Sequence, residues 1–429
     1  AHRDRATSWA HGAGALIRRA GLDRPLLVTV LALITLGLFT LYSAGETDFP
    51  TLAADIWRRQ AMWLGLGAVG AVMMFRMSPR ILEWFTPFLY GGALFLLVVV
   101  LFFGTGAGTA AGTHSWLSIG GVRVGQPAEL AKLATILMLA RHLAGRRECP
   151  ATLVELVPAG VIVGTPLVLV ALQPDLGSAL VFLGIFFGML YWVGVTPWLL
   201  LLIASPVISL IAASSTGLWA GWIIILTLLL IWLRPYLVEG LAVWGMNVMM
   251  GVVAVRLWTG LAPYQQNRIL SFVNPEIDPR AAGWNIIQSK VAIGSGGWMG
   301  KGFTLGTQKR LAFLPAQHTD FVFPVLAEEF GFWGVAVALA LFFWFFMVLI
   351  RIARRAVDTF SCVMVAGVAG LLLTHVVENV GMTVGLLPVT GIPLPFFSYG
   401  GSFAIICLLA VGMTLRVAWD SRSGGYLEG

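Results

Sequence analysis

Apolar runs recur along nearly the whole of this sequence, each long enough to cross a bilayer as a helix. About 20 residues suffice for one crossing. The runs fall near residues 26–43, 61–75, 81–103, 126–144, 153–171, 176–195, 197–213, 218–234, 236–258, 322–350, 360–384 and 400–417. That makes about twelve spans. Only 11% of residues are charged and the mean hydropathy is +0.88, whereas soluble domains carry about 25% charged residues. The fold class is therefore an all-α polytopic integral membrane protein; a transmembrane barrel would show short alternating segments instead. The first run is followed by many others, so it reads as a spanning helix and not as a cleaved signal.

The net charge is +7, but nucleic-acid binding is not the explanation, because the basic residues sit in short loops between apolar runs. Arg18, Arg19, Arg24, Arg76, Arg80, Arg141, Arg146, Arg147, Arg234, Arg351, Arg354, Arg355 and Arg416 all fall on one side of the membrane, against Arg58, Arg59 and Arg123 on the other. Cytoplasmic loops collect Lys and Arg, so both termini are expected inside. Cys149, Cys362 and Cys407 are widely separated, which fits neither a metal motif nor a disulfide framework. One long loop, about 260–321, falls outside. Long loops of this kind tend to be functional. It holds a helix-like piece, "GWNIIQSKVAIGSGG", and the glycine-rich "GWMGKGFTLGTQ". No repeat divides the chain. The expected organisation is a cytoplasmic segment 1–25, one membrane domain 26–417 and a cytoplasmic tail 418–429, expected to carry residues added to the natural chain.

Ionisable residues inside a span cost about 2.5–3.5 kcal/mol on insertion scales, so each needs a partner or a role. Gln126, Glu129 and Lys132 are spaced by three along one side of a helix. Glu129 and Lys132 either pair as a neutral clasp, or Lys132 faces an anionic ligand. Asp175 follows Pro174 at a helix start, where it caps the helix, binds Lys132 or holds a cation. His375, Glu378 and Asn379 share a helix face, a pattern of interhelical hydrogen bonding. Asp320 in "FLPAQHTDFVFPVLAEEFGFWG" has no Lys or Arg within helical reach after it. It is either an N-cap or a desolvated carboxylate able to accept a substrate proton. These features alone suit two readings. One is an enzyme on an anionic lipid-linked substrate. The other is a proton-coupled transporter.

Five long motifs in order decide between them: "HSWLSIGGVRVGQPAELAKLA", "QPDLGSAL", "YQQNRILSFVNPEIDPRAAGWNIIQSKVAIGSGGWMGKG", "GTQKRLAFLPAQHTDFVFPVLAEEFG" and "GLLPVTGIPLPFFSYGGS". From about Leu26 to Arg416 the chain resembles the SEDS family (shape, elongation, division and sporulation), and its RodA branch more than its division branch, FtsW. The resemblance implies a peptidoglycan glycosyltransferase that polymerises lipid II on the outer face of the cytoplasmic membrane, in cell-wall elongation and shape maintenance. It makes Asp320 the catalytic carboxylate. By the same resemblance Lys132, Glu129, Lys290, Arg268, His318 and Ser398 bind substrate or pyrophosphate, and Asp175 and Asn379 are structural or cation-linked. Lys301 and Arg310 are expected to be solvated loop charges. The sequence requires no cofactor; a divalent cation, Mg or Mn, would assist at the pyrophosphate. A class B penicillin-binding protein is the implied partner beside membrane lipids. The alternatives are a flippase or transporter of lipid-linked precursors, a non-catalytic scaffold, and an FtsW-like division polymerase.

Two departures from the family stand out. The family has ten spans, so the runs near 218–234 and 236–258 read as an inserted pair. Pro324 stands where the family has a small helix former. Proline is tolerated in a first helical turn, so Asp320 is expected just outside the helix and not as its cap.

Overall fold

A computed structural model describes residues 22–48, 54–106, 115–119, 122–261, 266, 267, 270, 272, 282–314 and 316–423. Each of the expected spans coincides with a helix. They are α1 (Arg24–Gly45), α2 (Ile56–Arg76), α3 (Pro79–Phe103), α4 (Pro127–Ala144), α5 (Leu153–Ala171), α6 (Leu176–Val193), α7 (Pro197–Ala212), α8 (Thr216–Leu233) and α9 (Leu237–Gly260). After the long loop, which carries α10 (Ala282–Gly296) and the single turn α11 (Thr307–Arg310), come α12 (Val322–Arg354), α13 (Thr359–Val384) and α14 (Gly401–Ser423).

Nine helices are long and apolar enough to cross a membrane, counted over the described residues. Of the expected spans, α2, α4 and the sixteen-residue α7 fall outside that set. Arginines load α2 and ionisable residues load α4. The all-α fold class holds, with one small antiparallel hairpin beside the helices, β1 (Leu117–Ile119) with β2 (Val122–Gly125). It lies between α3 and α4.

Helix starts follow their capping chemistry. Asp23 accepts the Leu26 amide at 3.1 Å, and Asp358 accepts the Ser361 amide at 2.8 Å. Each satisfies a donor that the helix itself leaves open.

One apolar core runs through the bundle. Helices α4 and α13 lie deep in it, with most of their residues buried. These are also the helices that carry Glu129, Lys132, His375, Glu378 and Asn379, as expected where ionisable groups must face protein and not lipid. The pair α8–α9 packs on α7 around a separate small cluster of Leu202, Leu226 and Val243. Its outer side is apolar and exposed, with Ile224, Leu228, Trp232, Leu241 and Val252 facing outward, as befits a lipid-facing surface.

Helix α12 is not continuous. Gly331 has φ 62° and ψ −157°, so the helix breaks there into two pieces. The glycine-rich loop fills the break. Lys301 and Gly302 amides donate to the freed Glu328 and Glu329 carbonyls, each at 3.0 Å, and Phe332 donates to Gly297 at 2.9 Å. A Cβ on Gly331 would come within 2.3 Å of the Gly300 nitrogen. Only glycine permits both that conformation and that approach.

Candidate active site

Asp320 lies on a turn, two residues before α12 begins. The N-cap of α12 is Phe321, which makes no side-chain cap bond. The Asp320 carboxylate therefore stands outside the helix, as Pro324 implies.

The segment bearing Asp320 is fixed at successive points. Lys309 Nζ donates to the Ser43 carbonyl at 2.6 Å and pairs with Glu329 at 2.7 Å. The Arg310 carbonyl accepts from the Asp48 amide at 3.0 Å. Trp284 Nε1 donates to the Phe313 carbonyl at 2.9 Å. Gln317 Nε2 donates to the Ala44 carbonyl at 2.9 Å. The His318 carbonyl accepts from the Tyr399 amide at 2.8 Å. Asn379 Nδ2 donates to the Asp320 carbonyl at 2.9 Å and to the Ile392 carbonyl at 2.7 Å. Leu314, Phe321 and Val325 pack under the segment with Ala44, Ile286, Met382 and Val389. The end of α1, the "GIPLPFFSYGG" loop and α13 thus form the bed on which Asp320 rests. Asp320 Oδ2 lies over Gly391, 3.4 Å from where a Cβ would stand.

Beneath that bed runs a buried polar chain. Lys132 Nζ donates to Glu129 Oε1 at 2.7 Å and lies 3.1 Å from His375 Nε2. His375 Nδ1 lies 3.1 Å from the Pro393 carbonyl. A carbonyl only accepts, so Nδ1 carries the proton and Nε2 accepts from Lys132. Phe403 stacks on His375 with ring centroids 4.3 Å apart. Asp175 caps α6 through the Ser178 amide at 3.0 Å and accepts from Gln126 Nε2 at 2.9 Å. The clasp between Glu129 and Lys132 is therefore what forms, and the cap at Asp175 is real. Both His375 and Asn379 hold carbonyls of residues 392–393, so the deep polar chain also supports the loop beneath Asp320.

The remaining candidates divide. Ser398 is buried, and its hydroxyl accepts the Leu394 amide at 2.8 Å, closing the loop. His318 is half-buried beside the Tyr399 ring, and burial pushes its imidazole below the usual histidine range. Lys290 on α10 is exposed and crosses Gly385, the left-handed C-cap of α13 at φ 78°. Its ammonium thus lies at the negative end of that helix. Arg268 lies outside the described residues.

Lys301 corrects its expected role as a solvated loop charge. Its ammonium pairs with buried Glu328 at 2.7 Å, because the helix break brings the loop to that carboxylate. Arg310 stays half-exposed but pairs with Asp48 at 2.8 Å. Four residues of the site escaped the sequence analysis: Ser43, Gln60, Lys309 and Glu329. Gln60 pins the last loop, donating to the Ser398 carbonyl and accepting the Gly400 amide, both at 3.2 Å. Adjacent carboxylates in an apolar run, "AEEFG", were the available signal for the glutamate.

The profile of the FtsW/RodA/SpoVE cell cycle proteins matches residues 24–236 and 220–423. This chain belongs to that family. The two matches overlap at residues 220–236, over α8 and the turn after it, inside the segment expected to hold an inserted pair. The chain is 37% identical over 397 residues to the peptidoglycan glycosyltransferase MrdB of Escherichia coli K12, covering 92% of this chain and 93% of that one. It also superposes on a chain from a peptidoglycan synthase complex that coordinates polymerization and crosslinking. There the TM-score is 0.68 at 30% identity, over 93% of this chain and 98% of the other. The crystal structure of the rod shape determining protein RodA of Thermus thermophilus gives 0.60 at 27% identity, over 93% and 97%.

Proposed function

We propose that this family member is a peptidoglycan glycosyltransferase that polymerises lipid II, with Asp320 as general base. The Asp320 carboxylate takes the proton from the 4-hydroxyl of the acceptor sugar. That oxygen attacks the anomeric carbon of the donor glycan. The bond to the polyprenyl pyrophosphate breaks, and its electron pair leaves with the phosphate oxygen. Attack from the opposite face inverts the centre, so an α-linked donor yields a β-1,4 bond.

The observation that carries this reading is the placement of Asp320. It stands outside its helix, on a segment tied to α1, α13 and the last loop. A base held in one geometry loses little orientational freedom on reaction, which is the physical requirement for this kind of catalysis. Cations stabilise the departing pyrophosphate. Lys290 is exposed beside the bed and suits that role, with Arg268 assigned to it by motif. Lys132 acts from below, through His375 and the Pro393 carbonyl, alongside Glu129. His318 and Ser398 shape the loops that border the acceptor sugar, Asp175 caps α6, and Asn379 holds the carbonyls of Asp320 and Ile392.

A divalent cation would be held largely by the pyrophosphate oxygens. Among the described residues no three His, Cys, Asp or Glu side chains converge as a metal site. The arginine asymmetry supports an orientation with both termini in the cytoplasm and Asp320 on the outer face. The likeness to a chain of a synthase complex supports a class B penicillin-binding protein as the crosslinking partner.

The test uses purified protein and fluorescent lipid II. The wild type is expected to yield a ladder of glycan strands. Asp320→Asn is expected to lower the rate by about 10²–10⁴, the usual worth of a general base. Normal polymerisation by Asp320→Asn would overturn the assignment, and lipid II translocation with no ladder would favour the transporter reading.

A further inference from the structure

The half-helix that begins two residues after Asp320 is buried on every side from Val322 to Glu329. It ends at the Gly331 break with two adjacent buried carboxylates. Each meets a lysine from the outer loop. Glu328 Oε1 accepts Lys301 Nζ at 2.7 Å, the Thr307 amide at 2.9 Å and the Gln308 amide at 3.1 Å. Glu329 Oε1 accepts Lys309 Nζ at 2.7 Å and the Ser43 hydroxyl at 2.6 Å. Lys309, Glu329 and Ser43 are all fully buried.

The placement is costly in isolation. The C-terminal end of a helix already carries partial negative charge, and a buried carboxylate adds to it. Lys309 answers twice. It lies at the end of the half-helix and also at the end of α1, where it binds the Ser43 carbonyl. One ammonium thus joins two helix C-termini. Removing one partner of such a pair leaves an uncompensated buried charge.

We propose that Lys309, Glu329 and Ser43 are positioning residues for Asp320. The half-helix is a short rigid rod with Asp320 at one end and this cluster at the other. Fixing the far end against α1 fixes where the carboxylate stands. Lys309 also sits on the strand of chain that leads to Asp320, so the cluster holds both the approach to the turn and the departure from it. The inference rests on Asp320 being the base.

The test compares Glu329→Gln, Lys309→Met and the double variant with Asp23→Asn. Asp23 is buried and binds Arg351 at 2.7 Å at the cytoplasmic end of the same two helices, so its variant controls for lost stability alone. Polymerisation kinetics and hydrogen exchange across residues 311–323 are both read. The cluster variants are expected to lower kcat at least about tenfold with KM within about twofold, and to speed exchange in that segment. Asp23→Asn is expected to lower the melting temperature while changing neither readout. The double variant leaves no lone charge. If it folds with wild-type kcat and wild-type exchange, the proposal is overturned. Should the charge variants fail to fold, Ser43→Ala decides by the same two readouts. A wild type that forms no ladder would sink the catalytic reading, while exchange would still judge the positioning.

Discussion

His318 stands two residues before Asp320, and burial holds its imidazole neutral there. Its folded-state pKa lies below the usual value of about 6.5. The unfolded chain therefore takes up the proton first as pH falls. The stability this residue supports is present above about pH 6.5 and is lost as pH falls toward the folded value. Melting curves between about pH 7.5 and 5 are expected to show an acid decline that His318→Gln makes shallower. An identical decline in both proteins would mean that His318 is not the group responsible. Among single residues, the Glu129–Lys132 pairing was legible because its i, i+3 spacing is local, whereas Asp320 was singled out by the family motif and not by its local pattern. Lys309 was not legible. Its partner Ser43 is 266 residues away, and no periodicity reports on such a pair. Lys301 was misassigned for the same reason, since Glu328 lies 27 residues on and reaches it only through the helix break.

Helices α4 and α13 are held together by ionic and polar contacts that a lipid environment makes hard to replace. Lys132 is fully buried and serves both Glu129 and His375. Lys132→Met is expected to cost about 3–5 kcal/mol, because the Glu129 carboxylate is left alone in the bundle. Adding Glu129→Gln is expected to recover most of that loss, which thermal unfolding in detergent measures directly. Failure of the double variant to recover would place the cost in packing. The nine helices long and apolar enough to span, among the described residues, were all readable from apolar run length, because backbone groups in lipid must be satisfied within one helix. The break at Gly331 was not. The apolar run continues through it, and the break exists only because the distant glycine loop supplies the missing hydrogen bonds. The hairpin β1–β2 is too short to carry a periodic signal.

The molecule as a whole is a catalytic bundle with a satellite of α7, α8 and α9. A polar knot stabilises the satellite. Asn247 Nδ2 donates to Ser205 Oγ at 2.8 Å and to the Val243 carbonyl at 2.9 Å, and its side-chain oxygen accepts Trp222 Nε1 at 3.1 Å. Asn247→Ala strands that indole donor at a cost of about 1–3 kcal/mol. Faster hydrogen exchange confined to residues 216–260 is expected, with the polymerisation rate within about twofold, since distant sites act independently. A large loss of rate would mean that the satellite is coupled to Asp320. The other long seam joins α2 to α14. A Cβ on Gly412 would come within 2.3 Å of the Ala71 carbonyl, and one on Gly67 within 2.8 Å of the Leu408 side chain. Synthesis runs from the N-terminus, so α2 enters the membrane long before its neighbour has been translated. Through most of the ribosome's transit its glycine groove has only lipid against it. Closure of this seam must therefore wait for α14 to leave the translocon, and a nascent chain stalled before α14 would stay open on that side.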